Sequence, residues 1–493
     1  MSKMNENVID TETAVAERER KQFVKMTQTP IARLIIGLGI PTTLSMMVTS
    51  LYNLADTYFV SLIGDDAITA AASNLLALMS IIQAIGFTFG MGSGTIVSKL
   101  LGKRDREGAD KVFSSSLFLS CVSGLLILLF GFIFFEPMLR ILGSKADDVL
   151  MYSKQYAIFV LLGAPIMCMS FVLNNVLRSE GKAVLSMIGL VVGAVINVAL
   201  DPILIFAADM GIMGAAVATL SSQFISFVIL VFMFFSGKTV VRFRLRSIST
   251  KFAVYGEVIS TGFPSFCRQI LASLCTVFLN SAAFDCGVAH YGSQEGGKAA
   301  QAALGVVQKV FMLAFSMALG IGQGYLPVLG YNYSAKRFDR VKASYLFTLF
   351  FSMSVMAAFG LVCGIFSANV MELFSLSKEA REVGSLALRL QCICMPLLPL
   401  NFMISLTYQA VGNKAIAALL STSRQGLFYI PAVLLLPKVF GLVGVQSSQA
   451  LSDLFAFFFA IPFTIIFFKS IKREMKKAEE VGQVRDETPA CVE

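Results

Sequence analysis

Tryptophan is absent from the 493-residue chain, and histidine occurs once, at position 290. Any aromatic belt at a membrane interface therefore falls to the 12 tyrosines and 43 phenylalanines. His290 is expected in an external loop between apolar runs, which excludes a histidine relay inside them and leaves any proton work to carboxylates. Charge is scarce as well. Charged residues make up 14% of the chain against 56% hydrophobic, and the mean hydropathy is +0.75. These values exclude a soluble globular protein of this length and mark an integral membrane protein. The nine cysteines lie mostly within apolar runs, without C-x-x-C pairing or metal-ligand spacing. Cys392 and Cys394 read as small packing residues. No Walker motif is present, so the chain has no visible nucleotide engine. Residues 1 to 29 lack the short apolar core of a secretory signal and are expected to form a flexible cytosolic tail.

What the chain does have is a succession of apolar runs, each long enough to cross a bilayer, for which roughly 20 residues suffice. They fall at about 31–63, 67–98, 112–135, 150–177, 183–206 and 211–236. A basic stretch, Gly237 to Lys251, separates them from six more at about 252–285, 299–331, 343–368, 382–411, 415–437 and 441–468. The expected organisation is a cytoplasmic tail over 1–30, a six-helix lobe over 31–236, a cytoplasmic linker over 237–251, a second six-helix lobe over 252–468, and a tail over 469–493.

The formal net charge of +9 reflects topology rather than nucleic-acid binding. Lysine and arginine cluster on alternate loops, at Lys99 to Lys111, Arg178 and Lys182, Lys238 to Lys251, Lys336 to Lys342 and Lys469 to Lys477. The other loops carry Asp65, Asp66, Asp147, Asp148, Asp209, Asp285 and Glu295. By the positive-inside rule both termini are cytoplasmic, in agreement with an even number of spans.

The two halves echo each other. Gly90-Met-Gly-Ser-Gly94 returns as Gly320-Ile-Gly-Gln-Gly324, and Gly211-Ile-Met-Gly214 returns at the same interval as Gly441-Leu-Val-Gly444. Gly39-Ile-Pro41 matches Gly262-Phe-Pro264. Because each half has six spans, the repeats run parallel, related by an axis along the membrane normal, which favours alternating access to a site between them. The glycine triplets lack the strand and the Lys-Ser/Thr of a phosphate loop, so close helix packing explains them and nucleotide is not an expected partner.

Two acids stand inside the first half. Asp201, in the run NVALDP, costs at least ~2.5 to 3.5 kcal/mol in hydrocarbon and needs a polar cavity, a partner or an ion. Asn197 lies one helical turn earlier on the same face. Pro202 disfavours helix at Asp201 and removes one N–H, so a kink there frees carbonyl oxygens. Counted from the outer helix ends, Asp56, Asp201 and Thr219 fall at one level, roughly 10 to 16 Å deep. No lysine or arginine is expected in the interior of the first-half helices. Two unpaired carboxylates sharing a site repel, and burial penalises their charged forms, so a bound proton or cation is favoured. The plainer alternative is structural, with Asp201 bonded to Asn197 and freed backbone, and Asp56 capping a break near Asn53. The second half instead carries Arg268, Lys309, Arg389 and Arg424, with Asp453 as its clearest acid. Arg424 and Asp453 are a candidate ion pair, and structural pairing is the plainer reading for most of these charges.

Several of these stretches resemble the multidrug and toxic compound extrusion (MATE) transporters, and in particular their MepA-like bacterial branch. The resemblance covers about residues 31 to 468. It rests on LADTYFV in the first helix, VLRSEGK at 176–182, NVALDPILIF followed by GIMGAAVATLSSQ, and, in the second half, GFPSFCRQ and ALGIGQGYLPVLGYNYSAKRFDRV. It implies an all-α integral membrane protein, with twelve helices in two six-helix lobes related by a pseudo-two-fold axis around a V-shaped cavity. Cation-coupled antiport of hydrophobic, often cationic drugs and dyes follows from the same resemblance. It assigns Asp56, Asn197, Asp201 and Thr219 to a first-lobe cation site, with Asn53, Asn174 and Asn175 as accessory polar groups. The sodium-coupled branch has an acid shortly after its seventh-helix proline. Here SFCRQILASL follows Pro264, with Arg268 and no acid, so coupling is expected through the first lobe.

The leading expectation is thus a monomeric antiporter of a bacterial inner membrane that needs no cofactor beyond H+ or Na+. Pro41 and Pro202 would act as hinges, lipid would surround the protein, and Arg268, Lys309, Arg424 and Asp453 would be cavity charges of the second lobe. A flippase of lipid-linked precursors, its phosphate held by the basic second half, is the alternative within the same superfamily. A non-transporting receptor or scaffold is the alternative of another class. No nucleophile–base pair or metal-ligand constellation supports an enzyme.

Overall fold

The computed structural model describes residues 16–63, 66–144, 146–374 and 377–486. Asp65, and the parts of the expected tails at 1–15 and 487–493, lie outside the described residues. Those described contain helices and no strand. Six long helices make up the first half: α1 (Ile31–Ser61), α2 (Asp66–Gly102), α3 (Arg106–Ile133), α4 (Asp147–Ser179), α5 (Ala183–Pro202) and α6 (Gly211–Phe235). The second half holds α7 (Phe252–Tyr291), α8 (Gln294–Ser334), α9 (Phe338–Ile365) and α10 (Lys378–Val411). An apolar stretch of 64 residues, Lys414–Lys477, follows. It is too long for one crossing, being ~96 Å at 1.5 Å per residue. Gly441 breaks it with φ 56° and ψ −134°, leaving α11 (414–440) and α12 (442–477). Twelve spans result, as the apolar runs predict.

Helix ends differ from the apolar runs because polar residues extend the helices past the hydrocarbon. Asp105 accepts the Gly108 N–H at 2.8 Å to start α3, and Ser293 accepts that of Gly296 at 3.1 Å to start α8. His290, expected in a loop, is in the exposed last turn of α7. The second tail begins as a continuation of α12, helical to Asp486.

The repeat is written into the backbone. Left-handed φ values recur at matching places in the two halves, at Arg104 and Lys336, Gly181 and Gly412, and Gly211 and Gly441. Short helices follow α3 and α9 at Phe135–Ile141 and Ser367–Leu373, and π turns interrupt α5 and α11 at Ile203–Ala207 and Ser423–Tyr429. Packing repeats too: α1 lies against α5 and α2 against α4 in one half, α7 against α11 and α8 against α10 in the other.

Between halves, α1 packs on α8 and α7 on α2. Missing side chains let these backbones meet, since a Cβ at Gly262 would collide with the Thr88 carbonyl and one at Gly320 with Thr43. Thr42 Oγ1 donates across this seam to the Gly320 carbonyl at 2.8 Å. Near the basic loops an apolar cluster spans the seam, joining Leu34, Ile35, Ile96 and Leu101 to Val258, Val328 and Tyr331.

The first tail is not wholly free of structure. Residues 16–28 form a helix, with Met26 and Thr27 completely buried. Its side chains reach the first half, Gln22 donating to the Glu180 carbonyl and Arg18 to that of Gly237. From the second half, Asn332 Nδ2 donates to the Met26 carbonyl at 3.0 Å and Arg337 Nη1 to that of Thr27 at 3.1 Å. Apolar burial within a polar stretch explains why composition alone hid this docking. The basic stretch after α6 is tethered as well, its Val240 and Val241 N–H groups donating to the Glu180 carboxylate at 3.0 and 2.8 Å.

Candidate cation site in the first half

Helices α5 and α6 are packed side by side, with α1 against α5 and α4 against α6. Small residues permit this: a Cβ at Gly193 of α5 would strike Ser226 of α6. Asp201 and Asn197 face inward with 0% and 1% exposure, and Thr219 has 8%. Asn197 Nδ2 points at Asp201 Oδ1 (3.5 Å) and at Thr219 Oγ1 (3.4 Å), so the amide bridges the two helices by long, weak hydrogen bonds. Asp56 comes from α1 and interacts electrostatically with Asp201.

Tyr156 of α4, which composition and spacing did not single out, shares a hydrogen bond with Thr219 and also feels both acids. Tyr52, one turn before Asp56, feels that acid as well. A buried tyrosine in an apolar run looks like packing until the fold sets it beside another helix.

The π turn explains how Asp201 is presented. It starts immediately after Pro202 and spans Ile203–Ala207, and the Ala208 N–H donates to the Ile203 carbonyl at 2.8 Å. The matching π turn of the second half follows Thr422 with no proline before it, so the widened turn belongs to the repeat and not to Pro202 alone.

Three acceptor oxygens have no hydrogen-bond partner: Asp56 Oδ1, Asp201 Oδ2 and Asn197 Oδ1 are all buried. Among the described residues, neither acid has a lysine or arginine in salt-bridge range. Lys154 does lie inside α4, contrary to the expectation of uncharged interiors, but its ammonium is 2.7 Å from Glu136. An oxygen-only donor set of this kind fits a hard monovalent cation or a proton, and burial makes unmet acceptors costly.

The other expected site residues are elsewhere. Asn174 and Asn175 stand 18 and 19 residues beyond Tyr156 on α4, roughly 27 Å along the helix. Asn174 Oδ1 accepts from Ser186 at 2.9 Å, and Asn175 Nδ2 donates to the Phe171 carbonyl at 2.8 Å. They serve helix packing at the basic-loop end. Asn53 is half-buried, and its carbonyl accepts from Thr57 Oγ1 at 2.9 Å. Pro41 lies in α1 beside the seam, next to Thr42.

In the second half Arg424 Nε is 2.6 Å from Asp453 Oδ1, and Gln449 Nε2 donates to the same oxygen at 3.2 Å. The expected pair is present and buried. Arg389 donates to Ser367 Oγ at 2.7 Å, while Lys309 is exposed. Arg268 and Arg424 line a small cavity of about 20 Å³ between α7, α8, α10 and α11.

The family model MatE matches residues 41–203 and again 270–434, once in each half. The multidrug export protein MepA of Staphylococcus aureus is 25% identical over 437 residues, 88% of this chain and 93% of its own. That of Staphylococcus haemolyticus is 25% identical over 441 residues, 90% and 95% of the two chains. Among solved structures, an outward-facing multidrug resistance MATE transporter superposes with a TM-score of 0.85 at 26% identity, over 91% of this chain and 98% of that one. A MOP superfamily transporter from Pyrococcus furiosus gives 0.84 at 26% identity, over 92% and 99%.

Proposed function

Since the chain belongs to the multidrug and toxic compound extrusion family, we propose that this multidrug efflux transporter works as an antiporter, driven by inward movement of H+ or Na+. It sits in a bacterial inner membrane with both termini cytoplasmic, and it takes hydrophobic, drug-like molecules from the cytoplasm. The observation that carries this reading is the set of buried, unpartnered Asp56, Asp201 and Asn197 oxygens on two packed helices, with no basic side chain in salt-bridge range of either acid among the described residues.

The roles follow from position. Asp56 and Asp201 hold the cation, while Asn197 and Thr219 orient the second acid across α5 and α6. Helix α1 carries Asp56 at one end and meets α8 through Thr42 at the other. A charge change at Asp56 is therefore felt by the element that closes the seam, with Pro41, next to Thr42, as the place where α1 can bend. With the seam closed near the basic loops, substrate leaves and the cation enters on the opposite side. No phosphate-binding loop is needed, because the ion gradient supplies the work.

The test is ethidium movement in reconstituted vesicles under an imposed proton gradient and, separately, a sodium gradient. Flux that follows one of them names the ion. Flux that ignores both would overturn the antiport reading.

A further inference from the structure

Resting on the reading that the seam parts during transport, we infer that the helix at residues 16–28 is a strap across the closed seam, holding the two halves together on the basic-loop side until it lets go of one of them. A segment docked on one half alone would ride with it. This one is held by both.

The grip comes from matching places in the repeat. The loop after α2 bears Arg104 and the loop after α8 bears Lys336, a pair of residues that share the left-handed conformation. From the first loop, the Arg104 guanidinium lies over the Phe23 ring, 4.4 Å from its centroid, a cation–π contact. From the second, Arg337 Nη1 donates to the Thr27 carbonyl at 3.1 Å, and Arg340 Nη2 donates to that of Thr29. Asn332 Nδ2 holds the Met26 carbonyl at 3.0 Å, and Asn332 Oδ1 in turn accepts from Arg340 Nε at 3.1 Å. These carbonyls close the strap helix, where the last turn lacks intrahelical donors and positive side chains are favoured. The second half thus caps the helix that the first half holds by its ring.

Packing runs the same way. Met26 and Phe23 join the apolar cluster that already unites Leu34 and Ile96 of the first half with Val258 and Val328 of the second. Gly181, at the end of α4, makes room for them, since a Cβ there would collide with Gln22 and Met26. The outer face carries Glu17, Arg20 and Lys21, all exposed, so the helix stays soluble when it is released. Opening the seam has to break the contacts with one half. The strap therefore shifts the balance towards the closed seam, and substrate on the basic-loop side meets a protein that is only fractionally open to it.

The test places a reporter cysteine, Ser98→Cys, in a full-length chain whose nine native cysteines are replaced. Ser98 of α2 is 1% exposed and lies against Gly330 of α8, so a water-soluble maleimide reaches it only when the seam parts. Met26→Asp should raise the labelling rate about tenfold, the scale of roughly one net hydrogen bond lost from the closed state. Phe23→Ala, which truncates an only partly buried ring, carries the same prediction with less risk to folding, and Arg340→Gln carries it from the other half. Met26→Leu should label as the wild type does. In vesicles the apparent affinity for ethidium on the basic-loop side should rise in Met26→Asp and Phe23→Ala, because more of the protein is open there. Labelling in Phe23→Ala and Arg340→Gln no faster than in the wild type would overturn the inference, as would a reporter that labels freely in the wild type. Faster labelling in these variants, with wild-type flux that ignores both ion gradients, would leave the strap standing and defeat the antiport reading. Gradient-driven flux with equal labelling would do the reverse.

Discussion

Asp201 and Asp453 are buried acids of the two halves in opposite circumstances. Asp453 is fully buried, its Oδ1 accepts from Arg424 and Gln449 while its Oδ2 has no partner, and the adjacent guanidinium matches its charge. Asp201 has one oxygen near the Asn197 amide at 3.5 Å and one with no partner, so its charge remains available. The difference gives a prediction about stability. Asp453→Ala strands a buried guanidinium and should cost ~3 to 5 kcal/mol, while the double change Arg424→Met with Asp453→Leu should recover most of it. Thermal unfolding in detergent measures both, and a single variant no worse than the double would refute the assignment. Both acids are visible in the sequence because charge inside an apolar run is conspicuous. Tyr156 was not, since a tyrosine at such a depth resembles packing until its hydroxyl meets Thr219.

Helix α1 links the site to the seam. It bears Asp56, passes Pro41 and touches α8 at two places, through Thr42 on the Gly320 carbonyl and through Ser50, whose hydroxyl is 2.5 Å from that of Ser316. If the halves part here during transport, joining them should arrest it. A Ser50→Cys and Ser316→Cys pair should form a disulfide on oxidation, stop dye efflux and recover on reduction, with each single variant unaffected. Efflux that persists in the cross-linked protein would mean that this contact does not open. The number and order of the long helices were legible from hydropathy, because a run of apolar residues measures the bilayer. The π turns after Pro202 and Thr422, the break at Gly441 and the docked helix at 16–28 were not. They depend on backbone hydrogen bonds and on neighbours distant in sequence, such as Asn332 under Met26.

At the scale of the molecule, duplication has given two similar bundles and divergence has given them different charges. The duplicated backbone survives in paired left-handed residues such as Gly211 and Gly441, and of the glycine triplets that announced it in the sequence, Gly92, Gly320 and Gly324 meet the other half while Gly90, Gly94 and Gly322 pack within their own. The divergence leaves a half in which Asp56 and Asp201 have no basic partner among the described residues and a half whose Arg268 lies over Phe402. On the antiport proposal, ion binding in one such lobe would bear on the opening of both at their shared seam. The most direct check compares gradient-driven ethidium flux in vesicles containing equal amounts of wild-type protein and Asp201→Asn. The mutant's flux should fall to its gradient-free level while ethidium binding is retained. Undiminished gradient-driven flux in the mutant would contradict coupling at this acid.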